Sequence, residues 1–213
     1  MPPRRREEIK KYLIKQDSKL RPLITQLAFP VARRNRDAYA TLVHSIIAQQ
    51  LSIKAANTIH TRLLALFPDA YPDPVLLRKM PVRRLRAAGL SRQKSSYLKE
   101  IARFALEQGM DYALLARFTD DQIIAYLTQI HGVGRWTVEM LLMFCLNRAD
   151  VFAVDDVGIQ NGMRHLYALD QTGKSLKLSM RDIAENWRPY RSIVCKYLWH
   201  WKAVSAGQPQ SDG

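Results

Sequence analysis

The sequence predicts an all-α protein. Three observations carry that prediction. Apolar residues recur at helical spacing through most of the 213 residues. The periodic runs open on Ser, Thr or Asp and close on Gly or Pro, the residues that cap and stop helices. No stretch alternates as a half-buried strand would, and no repeat of solenoid length is present. A chain of this size holds roughly ten helices of ordinary length.

The elements follow in order. In "DAYATLVHSIIAQQ", Tyr39, Leu42, Val43, Ile46 and Ile47 form one stripe. Leu51 breaks that run, and Ser52 caps the next helix, "IKAANTIHTRLLALF". "DPVLLRKM" and "PVRRLRAAG" read as short helices, the second with Pro81 near its start and Gly89 past its end. Ser91 caps "RQKSSYLKEIARFALEQ", which Gly109 closes. Thr119 and Gln122 make a capping box before "IIAYLTQI". "RWTVEMLLMFCL" is apolar nearly all round, as a central buried helix is. Ser179 is expected to open "MRDIAENW", and "RPYRSIVCKYLWHWKAV" ends the ordered chain, with residues 206–213 a loose tail.

Composition narrows the function. A hydrophobic share of 47% supports a full core, so disorder is expected only at the ends. Lys and Arg number 33 against 19 Asp and Glu, a formal net charge of +14, which favours a polyanionic partner such as nucleic acid. The two cysteines, Cys145 and Cys195, lie in apolar helical runs. They are too few for a cysteine-ligated iron–sulfur cluster or a four-cysteine zinc site, and they suit a reducing compartment. "MPPRRREEIKKYLIK" lacks the apolar core of a signal peptide, and no apolar run reaches the length of a membrane span. A location with the genome is expected: cytoplasmic in a bacterium, nuclear in a eukaryote.

Two motifs carry chemistry. "LTQIHGVGRW" joins two helices by a turn with glycines at alternate positions. Gly132, Val133, Gly134, Arg135 and Thr137 make a candidate phosphate grip, because free amides at a helix start and the positive end of its dipole attract anions. Taken alone, the same pattern serves equally as a flexible helix–helix turn. Some twenty residues later, "VFAVDDVGI" places Asp155 and Asp156 at the start of another helix, where one of them is expected to cap.

Together, "GVGRWT" and "DVFAVDDVGI" resemble the helix-hairpin-helix (HhH-GPD) DNA glycosylase superfamily, in its 3-methyladenine DNA glycosylase II (AlkA) branch. Further matches are "IIAQQLSIKAA" (46–56), "GLSRQKSSYL" (89–98) and "WRPYRSIVCKYLW" (187–199), so the resemblance spans most of the chain. On this resemblance the extra N-terminal β-domain of the longest members is not expected. The resemblance implies a two-lobed helical fold with the active-site cleft between the lobes. One lobe would run over about residues 38–150, with the hairpin at 128–136; the other would combine about 7–37 with 151–205.

Activity also follows from the resemblance. Aligning the isoleucine three positions beyond the acid makes Asp156 catalytic and leaves Asp155 as a structural neighbour and cap. Most O-glycoside hydrolases use two carboxyl groups. A single one suffices if the leaving base is already cationic, as alkylated purines are. In bifunctional relatives a lysine stands where this chain has Trp136, so base release without strand cleavage is expected. Trp136, Trp199, Met140 and Tyr39 are candidates for the base pocket, and Gln50 and Leu51 for the wedge that fills the stack behind an everted base. Trp187 and Trp201 read as core residues. Arg92, Lys94, Arg135 and Arg164 are candidate phosphate contacts. The backbone carbonyls of Thr128, Ile130 and Val133 match the family's site for a structural Na+ or K+. No cofactor is needed for catalysis; the expected partner is double-stranded DNA containing alkylated bases, bound by a monomer. Two other readings stay open: a DNA-binding module without activity, and a bifunctional glycosylase/lyase.

Overall fold

The computed structural model describes residues 1–30 and 36–205. The expected tail at 206–213 lies outside them. Among the described residues regular structure is entirely helical, in chain order: α1 (Pro3–Gln16), a 3-10 turn (Ser18–Leu20), α2 (Arg21–Gln26), α3 (Ala38–Ala48), α4 (Ile53–Leu64), α5 (Pro74–Lys79), α6 (Val82–Ala87), α7 (Arg92–Gln108), α8 (Tyr112–Ala116), α9 (Asp120–Leu127), α10 (Arg135–Phe144), α11 (Val157–Tyr167), α12 (Gly173–Glu185) and α13 (Arg191–Ser205). The chain divides into two compact units, an inner one of Arg34–Leu146 and a terminal one joining Met1–Arg33 to Asn147–Gly213.

Local capping chemistry sets most boundaries. Ser52, Ser91 and Thr119 each accept a main-chain N–H from inside the helix they open, and Gln122 returns the bond to complete the box. Gly109 ends α7 at a φ of +83°, which its lack of a Cβ permits. One expectation fails and one helix went unread. Ser179 does not open a helix: α12 begins at Gly173, because Leu176, Met180 and Ala184 form one buried stripe that runs through it. Helix α8, capped by Asp111, is a five-residue element too short to show a period.

In the inner unit, α3 packs on α4, α7 and α10, while α5 and α6 pack on α7. Helix α10 is the apolar centre: seven of its ten residues, Thr137 to Met143, are buried. The pair α3/α10 runs antiparallel, since Gln49 at the end of α3 meets Thr137 at the start of α10, and Thr41 bonds the thiol of Cys145 at the far end. In the terminal unit, α11 packs on α12 and α13, and α13 also on α2. Its core carries a polar anchor: the Asp17 carboxylate accepts from the Tyr167 hydroxyl at 2.6 Å and the Trp187 indole at 3.0 Å. Burial and that contact push the Tyr167 phenol well above its ordinary range. Trp187 is fully buried, as its reading as a core residue requires.

Candidate active site

The hairpin is built from backbone. Val133 N–H donates to the Ile130 carbonyl at 3.0 Å and closes the turn. The two glycines serve different needs. Gly132 adopts a φ of +93°, and a Cβ there would run into the Tyr97 ring. Gly134 is the N-cap of α10 and faces open space, since an added Cβ would meet nothing within 4 Å. The first in-helix bond of α10 runs from Val138 N–H to the Gly134 carbonyl, so the amides before it point out of the helix start. Arg135 beside them is 60% exposed and reaches Glu139 at 3.0 Å.

The structure trims the expected phosphate grip. Val133 is buried with its N–H engaged in the turn, and Thr137 is 1% exposed with its hydroxyl accepting from Gln49 Nε2 at 3.1 Å. Neither side chain offers a group to an incoming strand, so Gly132, Gly134 and Arg135 remain, with the main-chain amides at the start of α10. Arg164 also drops out: its guanidinium donates to the carbonyls of Leu169 and Gln171 and holds the link from α11 to α12. Lys94 is partly buried and donates to the carbonyls of Ile47 and Gln49, both at 2.7 Å, capping the end of α3. Arg92 is exposed.

After α3 the chain turns sharply. Gln50 takes the left-handed conformation at a φ of +59°, and Leu51 is 40% exposed. Both wedge candidates therefore project from a short turn whose base is pinned by Lys94. Trp136 is half-buried and Met140, one turn along α10, is 8% exposed, so the pair shares a helix face. Tyr39 does not join them. It sits at the other end of the antiparallel pair, ten residues before Gln49, with its hydroxyl donating to the Pro72 carbonyl at 2.6 Å. Burial beside Tyr71 pushes its phenol far up, and the hollow it lines with Tyr71 and Tyr112 lies at the end of α3 away from Trp136 and Met140.

In the terminal unit, Asp156 is half-buried at the start of α11. Its Oδ1 accepts two bonds at 2.8 Å, from Ile159 N–H and from the Trp199 indole N–H on α13. Asp156 is thus itself the cap of α11; Asp155, expected to cap, is exposed and pairs with Lys177 at 2.6 Å. Gly158 makes the arrangement feasible. A Cβ there would lie 2.9 Å from Asp156 Oδ1 and 3.0 Å from the Trp199 ring, so only glycine lets the indole close on the carboxylate. Gln160 braces the same turn by donating to the Val154 carbonyl.

Gly158, Gln49 and Tyr97 were not among the residues singled out from sequence, and Lys94 was singled out only as a phosphate contact. Lys94 and Tyr97 both fall in "GLSRQKSSYL", three positions apart, which is the one local sign that they share a helix face. As for the cation, Thr128 is the C-cap of α9, where carbonyls run out of in-helix donors, and Ile130 holds the turn through its carbonyl. Neutral oxygens of this kind fit a hard monovalent ion. No cluster of three or more metal-ligating His, Cys, Asp or Glu occurs among the described residues, and none of their helices is long and apolar enough to cross a membrane.

Comparison with known proteins bears on the family and the fold. The chain is 37% identical to DNA-3-methyladenine glycosylase 1 of Schizosaccharomyces pombe over 166 residues, 77% of this chain and 72% of the relative. A solved structure of the Schizosaccharomyces pombe 3-methyladenine DNA glycosylase in complex with abasic DNA matches at a TM-score of 0.86 and 32% identity, covering 95% of this chain and all of that one. A DNA-3-methyladenine glycosidase from Bacillus halodurans matches at a TM-score of 0.76 and 34% identity, over 92% of this chain and 90% of its own. The family model for the HhH-GPD superfamily base excision DNA repair protein matches residues 43–189, and the chain belongs to that superfamily.

Proposed function

We propose that the chain is a monofunctional DNA glycosylase that hydrolyses the N-glycosidic bond of alkylated bases in duplex DNA, 3-methyladenine and 7-methylguanine among them, and leaves an abasic site. The observation that carries this reading is the half-buried Asp156 carboxylate, fixed by the Ile159 N–H and the Trp199 indole. The relative solved with abasic DNA, the product such a reaction leaves, supports it.

The chemistry needs one carboxylate. A purine alkylated at a ring nitrogen is cationic, so its bond to C1′ breaks with the electron pair going to the base, which departs neutral and needs no acid. Positive charge develops on the sugar, and Asp156 stabilises it. Water adds to C1′, its proton passing to Asp156 and on to solvent. The electron-rich face of Trp136, with Met140 beside it, in the inner unit and that of Trp199 in the terminal unit are each suited to a cationic base; cation–π attraction contributes about 2 kcal/mol when desolvated. Gly132, Gly134 and Arg135 would hold the phosphates, and Gln50 and Leu51 would fill the stack. Trp136, two places beyond Gly134, has no amine to form a Schiff base, so the strand stays uncut. The carbonyls of Thr128, Ile130 and Val133 would hold a Na+ or K+, which steadies the hairpin; the reaction as written uses no other cofactor. A monomer acting where the genome lies fits the scheme.

The test is the product profile. Duplex DNA treated with a methylating agent should yield free 3-methyladenine or 7-methylguanine, with strands that break only on alkali treatment. Borohydride should trap no protein–DNA adduct, and an adduct would contradict the monofunctional reading. Tight DNA binding with no base released would leave a binding module instead.

A further inference from the structure

A non-glycine residue in the left-handed region costs on the order of 1 kcal/mol or more and persists only where its surroundings fix it. Gln50 is such a residue, at a φ of +59°. The contacts around it show what fixes it. The Lys94 ammonium donates to the last carbonyls of α3, those of Ile47 and Gln49, at 2.7 Å each. Carbonyls at a helix end lack partners and sit at the negative end of the dipole, so a cation is well placed there. Partial burial of the ammonium in this position lowers its pKa from the ordinary lysine value. From the other side, Gln49 Nε2 donates to Thr137 Oγ1 at 3.1 Å and lies 3.5 Å from the Gly132 carbonyl. Tyr97, one turn along α7 from Lys94, packs its ring on Gly132 and its edge on His131. One turn of α7 therefore braces both the Gln50–Leu51 turn and the hairpin.

We propose that Lys94 is a positioning residue: through its two bonds to the end of α3 it sets the Gln50–Leu51 turn in a fixed register with the hairpin, so that the turn enters the duplex as the hairpin grips the strand. The proposal rests on the glycosylase reading for its substrate, but its geometry lies wholly within the inner unit. Both bonds of the Lys94 ammonium go to main-chain carbonyls of its own chain. Its loss should fall on extrusion of the base and not on bond cleavage.

Single-turnover release of a methylated purine is compared on two substrates: one with the lesion paired in duplex, and one with the lesion opposite an abasic site, where less stacking and pairing must be broken. Lys94→Met, close in shape, should lower the paired-to-unpaired rate ratio by about tenfold. Lys94→Arg, which can donate to both carbonyls, should restore most of it. A 2-aminopurine next to the lesion brightens when its neighbour leaves the stack, and the brightening should shrink in Lys94→Met at saturating protein. An unchanged ratio and unchanged fluorescence in a folded Lys94→Met protein would overturn the proposal. Should the wild-type protein release no base, the glycosylase reading fails separately, and the fluorescence arm, which needs no cleavage, still decides the role of Lys94.

Discussion

The terminal and inner units solve different problems with different parts of the chain. In the terminal unit the group proposed to act on the sugar is a side chain, Asp156, held by one main-chain and one side-chain donor. In the inner unit the groups proposed to act are main-chain ones: amides at the start of α10, where Gly134 borders open space, and a turn whose shape is pinned at its carbonyls by Lys94. The difference teaches where each unit is vulnerable. A catalytic carboxylate is lost by changing one atom. A backbone grip survives most single side-chain changes and yields only to those that alter the backbone path.

That contrast can be sharpened or broken by substitution, and the largest effect belongs to the terminal unit. Asp156→Asn keeps the cap geometry and removes the charge, and should lower single-turnover base release by a factor on the order of 100 to 1,000. Gly158→Ala comes next. Its Cβ would crowd both Asp156 Oδ1 and the Trp199 ring, and displacing a reacting group by about 1 Å can cost roughly a hundredfold in rate. Affinity for duplex DNA containing an abasic site, measured by fluorescence anisotropy, should change little. Trp199→Phe retains a ring but loses the donor to Asp156. A hydrogen bond to a charged group contributes about 1.5 kcal/mol or more, so release should slow roughly tenfold. If Gly158→Ala and Trp199→Phe cleave like the wild-type protein, the aimed-carboxylate account of the terminal unit fails.

The inner unit should respond in binding. Arg135→Ala should reduce the slope of log affinity against log salt by about 0.9, the share of one phosphate contact, with release at saturating protein little affected. An unaltered slope would show that Arg135 serves only its bond to Glu139.

How much of this was legible in the sequence follows from the range of each interaction. Caps and boxes involve neighbours three or four positions apart, so Ser52, Ser91, Thr119 and Gly109 could be read directly. Ser179 misled because a cap residue also fits inside a helix when the buried stripe runs past it. Asp156 was legible through its motif, yet its double role as cap and candidate base was not, since the donor that completes it is 43 residues away on α13. The same holds for Gly158. Glycine inside a helix is ordinarily unfavourable by about 1 kcal/mol, and its reason appears only with the Trp199 ring in place. Lys94 read as a phosphate contact because the carbonyls it serves lie 45 and 47 positions earlier. Tyr39 shares the stripe of α3, but the antiparallel course of α10 carries it to the wrong end.

The central claim, that one anionic side chain drives the chemistry, is tested most directly by following free methylated base released from alkylated duplex DNA by wild-type and Asp156→Asn proteins, with DNA binding measured in the same samples. The account predicts steady release by the wild type and nearly none by the variant at equal occupancy. Equal release by both proteins would contradict it.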